Sequence, residues 1–392
     1  MGQLSFEVSS GLLFEPPELD AREETVIEDI QALRSRLRHQ TGQPRRWVGT
    51  LRRVSLARAI RGSNSIEGFT VSLDDAVAVA EGEAPLDAAA ETAAAVSGYR
   101  NAMTYIIQLA NDPHVSLDES LVRSLHFMMT QYDLGNRPGL YRLGPVYVRD
   151  DSSGETVYEG PPAPLVPGLM RTLATAISAN DNAYPAIVRA AMAHLNLVMI
   201  HPFKDGNGRM ARAVQTLVLA RDGILEPPFC SVEEFLGRNT EGYCRVLAEV
   251  GGGSWQPHRN SRPWVRFMLT AHLRQTATLL RRADEYERLW DELAEVIRRS
   301  GLPERSIGAM SDAALGLRVT AAMYRTYEDI SVDTARNDLR EMVHRGFLIA
   351  RGEKRGRHYV GSKQLLDTWE AVRSHRVVND QVDPFAEATP AH

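Results

Sequence analysis

The sequence predicts a mainly α-helical protein with one short β-hairpin set into it and a small module appended at the carboxyl end. Three observations carry that expectation. Apolar residues recur every three to four positions over most of the chain. Alternating residues flank the turn-forming stretch from Asp150 to Glu155. The segment GLPE at Gly301 separates a long charged helical stretch from a shorter run ending in IARGEKRGRHYVG. A chain of 392 residues exceeds what one core usually supports, so two or three domains are expected. With 43% hydrophobic and 24% charged residues the composition is globular. A net charge of -5 argues against attraction of the whole molecule to nucleic acid or anionic membrane, leaving room only for a local basic patch. Two cysteines, Cys230 and Cys244, are too few for a disulfide framework. No basic-then-apolar leader or membrane-length apolar run occurs, so a cytoplasmic protein is expected.

In chain order, residues 1–20 contain Pro16 and Pro17 without apolar period and read as an extended strap. Helical pattern runs from Ala21 to about Gly62 and again from Asp74 to Leu109. Ser116 and Glu119 form a capping box ahead of a stripe of Leu117, Leu121, Leu125 and Met128. Val146, Tyr147 and Val148 face Thr156, Val157 and Tyr158 across the turn. Helices follow from Pro185 to Met199, from Arg209 to Ala220, near Val232–Val250 and from Trp264 to Arg298. The resulting division is 1–110, 111–300 and 301–375, with 376–392 a loose tail.

The loop HPFKDGNG joins two strongly apolar helices. Gly206, Asn207 and Gly208 immediately precede the second, so open backbone N–H groups and the positive end of its dipole converge where an anion would sit. Arg209 and Arg212 lie three residues apart on one face, and two guanidinium forks suit two phosphates. Asp205 is placed to share Mg²⁺ with phosphate oxygens. His201, on the other flank of the loop, is placed to take a proton from an incoming hydroxyl, whereas His194 reads as a satisfied core residue.

The run HPFKDGNGRMAR, His201 to Arg212, resembles the signature of the Fic family in every defining position. LHFMM, GLYR, YEGPP and SVEEFLGRNTEGY are similar to further family segments, so the likeness covers roughly half of the chain. The resemblance implies a Fic-fold helical bundle that transfers AMP from ATP to a Ser, Thr or Tyr hydroxyl of a target protein, with self-modification and a homodimer as further possibilities. His201 is then the base and Asp205 the metal carboxylate. Gly206, Asn207 and Gly208 are the anion hole, and Arg209 and Arg212 hold phosphate, the latter toward the γ-phosphate. Asn239 and Tyr243 bracket the adenine, with Cys244 where a second tyrosine is common. The hairpin is a flap whose Val146, Tyr147 and Val148 align the target by strand addition. Upstream, Ser63, Glu67 and Gly68 in RGSNSIEGF resemble the family's inhibitory motif, with Glu67 expected to pair with Arg212 and keep it from the γ-phosphate.

Beyond Gly301, two helical stretches within 319–348, the second from Val332 to His344, and a hairpin around Gly352–Gly356 resemble a winged helix. Seven basic against four acidic residues between Ser331 and Val360, with Arg336 and Arg340 on one face, admit DNA contact; protein docking is the other reading. Two alternative functions use the same residues: removal of AMP from a modified protein with Glu67 orienting water, and nucleotide sensing by a winged-helix DNA-binding regulator.

Overall fold

The computed structural model describes residues 12–149, 154–178, 183–353, 356–374 and 383–386. It is helical throughout, with two small antiparallel hairpins. The amino-terminal part holds α1 (Ala21–Thr41), α2 (Arg46–Ile66), α3 (Leu73–Ala80) and α4 (Ala90–Leu109). Two helical stretches read from the pattern thus become four helices. Gly42 and Pro44 break the first stretch, and Gly82 in the left-handed region breaks the second. Next come α5 (Glu119–Thr130), β1 (Tyr147–Arg149), β2 (Thr156–Glu159), α6 (Val166–Ser178), α7 (Ala186–Ile200) and α8 (Asn207–Arg221). The short α9 (Pro227–Cys230), α10 (Glu233–Arg238) and α11 (Thr240–Gly251) lead to the 39-residue α12 (Arg262–Ser300). The chain closes with α13 (Ser306–Ala314), α14 (Ala321–Glu328), α15 (Val332–His344), β3 (Leu348–Arg351), β4 (His358–Gly361) and α16 (Lys363–Ser374).

Two interleaved cores join the amino-terminal helices to the rest. One gathers α1, α7 and α12 around Ile30, Leu195 and Trp264; the other gathers α2, α4, α5 and α8 around Ile60, Tyr99, Leu125 and Met210. A third core, from Leu289 in α12 to Val372 in α16, belongs to the carboxy-terminal module. There Val319 pairs with Tyr359 on the hairpin, and Asp338 of α15 accepts Arg305 Nε (2.6 Å) and the Tyr324 hydroxyl (3.0 Å). No helix among the described residues is long and apolar enough to cross a membrane.

One local expectation is corrected. The cap of α5 is Asp118, whose carboxylate accepts the Leu121 N–H at 2.8 Å, and not Ser116; Glu119 instead meets the Tyr141 hydroxyl. The fully buried residues of α5 include Val122, Leu125, His126 and Met129, and Leu117, Leu121 and Met128 of the expected stripe pack half-buried against the same core. The strap is firm where described. Phe14 is buried against Trp255, and its backbone exchanges two hydrogen bonds with the Asn196 amide. The hairpin tip, residues 150–153, and most of the tail lie outside the described residues. The tail segment 383–386 packs on the body, with the Arg266 guanidinium over the Phe385 ring and Arg22 donating to the Ala386 carbonyl.

Candidate active site

Helix α7 is buried on nearly every face and stops because Pro202 disfavours a further helical residue before it. His201 caps it in the left-handed region, at φ 51°, a conformation few non-glycine residues adopt. Its Nδ1 lies 3.2 Å from the Val198 carbonyl. A carbonyl only accepts, so Nδ1 carries the hydrogen and Nε2 is left with its lone pair. Burial holds the imidazole below its ordinary pKa. The Arg142 charge acts in the same sense, while the Val198 carbonyl, Glu67 and Asp205 oppose it. The neutral, proton-accepting form is therefore favoured, and the ring lies within the field of two carboxylates, Asp205 of the loop and Glu67 at the end of α2.

The loop after His201 is pinned from three sides. Asn207 closes it on itself, accepting the Phe203 N–H and donating to the Phe203 carbonyl, both at 2.9 Å. His126 of α5 stacks on Phe203 at 3.7 Å between ring centres, donates from Nε2 to the Asp205 carbonyl (2.9 Å), and accepts the Gly139 N–H at Nδ1 (2.8 Å). Burial pushes His126 down to about 4, consistent with a neutral ring whose two nitrogens are both engaged. Gly206, at φ 75°, gives the turn into α8, and a Cβ there would meet Thr130 at 2.9 Å.

The first bond inside α8 runs from Met210 N–H to the Gly206 carbonyl (2.9 Å), which leaves the N–H groups of Asn207, Gly208 and Arg209 at an open helix start. Arg209 is fully buried, lies under Phe69 at 5.2 Å, and reaches Asp205 Oδ2 at 3.2 Å. Arg212 is also buried. Its Nε donates to Ser63 Oγ (2.8 Å), and its Nη2 to the Ser63 carbonyl (2.9 Å) and Glu67 Oε1 (2.7 Å); its Nη1 has no partner among the described residues.

Glu67 thus enters the cradle from outside. A Cβ on Gly208 would stand 2.4 Å from Glu67 Oε1, so the carboxylate rests directly on the first turn of α8. Glu67 ends α2, and Gly68, at φ 85°, lets the chain turn away there. A carboxylate at a helix carboxyl end is disfavoured by its own dipole. Burial also opposes the charge, but Arg212, with help from Arg209 and His201, outweighs both and keeps Glu67 below the usual carboxylate range.

Of the residues expected to bracket a base, Asn239 donates to the Phe235 carbonyl at 2.8 Å and lines a cavity of about 600 Å³ with Arg238 and Phe267. Tyr243 does not share that wall. It is 3% exposed, its hydroxyl meets His194 Nε2 (2.9 Å), and its ring packs under Arg212. The two part because Asn239 is the joint between α10 and α11, with its own backbone turned out of helix. In the hairpin, Tyr147 and Val148 fall in β1 while Val146 precedes it and accepts the Gly160 N–H at 3.2 Å. Among the described residues β1 pairs only with β2, so its outer edge is open.

Several positioning residues escape a reading of motifs alone. Arg142 donates to the carbonyls of His201 (2.8 Å) and Gly144 (2.7 Å), and Tyr158 donates to the Met199 carbonyl (2.8 Å), so the segment before the hairpin and β2 together tie down the end of α7. GLYR and YEGPP contain or adjoin these residues, yet nothing in their spacing names the carbonyls they hold. Glu233, 1% exposed, accepts the Tyr99 hydroxyl (2.7 Å) and belongs to the electrostatic surroundings of Arg212. The α2–α10 crossing is equally silent in sequence: a Cβ on Gly62 would stand 2.4 Å from the Glu233 carbonyl oxygen, and one on Gly237 would stand 2.6 Å from Gly62.

Comparison with known proteins agrees with this arrangement. The Fic/DOC family model matches residues 116–219. A probable protein adenylyltransferase of Aquifex aeolicus is 31% identical over 97 residues, covering 25% of this chain and 28% of that protein. The protein adenylyltransferase Fic of Nematostella vectensis is 28% identical over 209 residues, 53% of this chain and 44% of that protein. The chain thus spans less than half the length of these relatives. The crystal structure of a Fic family protein from Desulfovibrio desulfuricans G20 superposes with a TM-score of 0.56 at 23% identity, covering 89% of this chain and 99% of that one. The matched segment places a Fic domain at residues 116–219, and the surrounding fold is shared with the structure of a Fic family protein.

Proposed function

We propose that the chain is a protein adenylyltransferase that moves AMP from ATP to a Ser, Thr or Tyr hydroxyl of another protein and is held in check by Glu67. The observation that carries this reading is the cradle itself: an imidazole with a free Nε2 on one flank, open N–H groups at the floor, and Arg209 and Arg212 on the other flank. In the reaction His201 Nε2 accepts the hydroxyl proton while the oxygen bonds to the α-phosphorus. The bond to the bridging oxygen breaks, and pyrophosphate leaves. The start of α8 and the arginines offset charge on the phosphates, a matter of positioning rather than covalent chemistry. Asp205, partly exposed beside the cradle, fits a Mg²⁺ site of one carboxylate plus phosphate oxygens; the ion, when bound, neutralises phosphate charge. The open edge of β1 would align the target segment.

Relatives named as protein adenylyltransferases support the reading. The pairing of Glu67 with Arg212 supports the restraint, because the arginine cannot serve Glu67 and a γ-phosphate at once. The test is incubation of Glu67→Gly chain and lysate with ATP labelled at the α- or the γ-phosphate. Label from the α-position should stay on protein hydroxyls and label from the γ-position should not; transfer of the γ-label would make the enzyme a kinase and defeat the proposal.

A further inference from the structure

We infer that the carboxy-terminal module carries a second phosphate-recognising surface, separate from the cradle, that seats the backbone of duplex DNA. Arg336 and Arg340 of α15, Arg357 beside β4, Tyr359 and Thr320 converge on one cavity of about 560 Å³. These guanidinium groups are not consumed by the fold. Among the described residues Arg336 has only a carboxylate of its own helix at 3.9 Å, Arg340 donates to Asn337 within the helix, and Arg357 lies over the Tyr359 ring at 5.8 Å. Among the described residues no carboxylate of another element pairs with any of the three. Three like charges directed at one space repel unless an anion joins them, and the planar forks match phosphate oxygens.

The scaffold beneath them is rigid, which lowers the ordering cost of binding. Asp338 on the opposite face of α15 is held by Arg305 and Tyr324, and β4 is paired on both sides, to β3 and to Val319. Duplex DNA is the occupant that uses the most of this surface. Arg336, Asn337 and Arg340 form a continuous exposed face starting near the Ser331-capped end of α15, and these side-chain types read base edges when a helix enters a major groove. The arginine of the hairpin flanks that helix where a backbone strand would pass. One carboxylate stands at the rim: Glu83, whose Oε1 accepts the Thr320 hydroxyl at 3.3 Å. The net charge of -5 confines any such binding to this local surface.

The test is fluorescence anisotropy of the full chain with a labelled duplex of about 20 base pairs as salt is raised. Three phosphate contacts at about 0.9 each give a slope of log K against log salt of about -2.7, or about 40-fold weaker binding between 50 and 200 mM. Arg336→Ala should weaken binding and reduce the slope by about 0.9. The triple variant Arg336→Ala, Arg340→Ala, Arg357→Ala should lose binding yet melt as a cooperative fold and keep its transfer activity. Glu83→Gln should tighten binding by removing the rim charge. Absence of duplex binding at 50 mM salt overturns the inference, as does binding unaffected by the triple variant. Displacement of duplex by a mononucleotide at equal phosphate concentration also overturns it, in favour of a small-ligand pocket.

Discussion

Replacing Glu67 with Gly removes a single contact from the cradle and should convert a restrained enzyme into an active one. The contact is one charge-assisted hydrogen bond of 2.7 Å between a carboxylate whose side chain is one quarter exposed and a guanidinium that is 1% exposed. Bonds of that kind contribute about 1.5–3 kcal/mol, so the fraction of molecules with Arg212 free for phosphate should rise about 10- to 150-fold. Arg212 itself should stay in place, because Nε and Nη2 keep their bonds to Ser63 and Glu233 remains nearby. Two assays read the change. Transfer of α-labelled AMP to the chain itself should rise within the stated range, and ATP should raise the melting temperature of the variant more than that of the parent. Arg212→Ala in the same background should erase both gains. A transfer rate within twofold of the parent, with the same ATP-induced shift, would refute the claim that Glu67 and phosphate compete for Arg212.

The loop from His201 to Arg212 is legible because its chemistry is local: glycines, an adjoining helix start and two arginines one turn apart are defined by neighbours in sequence. The exact extent of α15, Val332–His344, is legible for the same reason, since Ser331 is its cap and Gly346 in the left-handed region follows its end. What escapes the sequence is whatever depends on two elements meeting. Gly62 and Gly237 look like weak points in two separate helices, yet each exists to let the other's backbone approach. Nothing in GLYR announces that Arg142 will hold the carbonyl at the end of α7. Asp118 shows a smaller version of the difficulty. Ser116 and Asp118 are both residue types that cap helices, and here the Asp118 carboxylate takes the Leu121 N–H. Tyr243 shows the larger one, for an aromatic residue near a phosphate loop serves a base or a core equally well by pattern, and here its hydroxyl is held by His194.

Gly62→Ala adds a methyl group where the Glu233 carbonyl already stands, so α2 should be pushed from α10 at a cost of about 1–3 kcal/mol. Basal AMP transfer should then rise although Ser63, Glu67 and Arg212 are untouched; a lower melting temperature with unchanged transfer would show that the crossing does not set the restraint. Arg142→Ala orphans the His201 and Gly144 carbonyls and should cost about 2–4 kcal/mol of stability and most of kcat in the Glu67→Gly background. Arg142→Lys should not rescue it, because one ammonium cannot span carbonyls held by a fork. The last expectation concerns acid. His126 has Nδ1 accepting the Gly139 N–H and Nε2 donating to the Asp205 carbonyl, so an added proton on Nδ1 would set hydrogen against hydrogen. Its folded pKa of about 4 lies below the ordinary histidine value of 6.5, which means the unfolded chain binds the proton first. The stabilisation is therefore complete above pH 6.5 and is lost as pH falls toward 4, amounting to about 3 kcal/mol across that window. Its imidazole signals followed by NMR should titrate with a midpoint well below 6.5. A midpoint at the ordinary value would mean that His126 does not latch the loop, and that the Asp205 carbonyl is held in place by Asn207 and Gly206 alone.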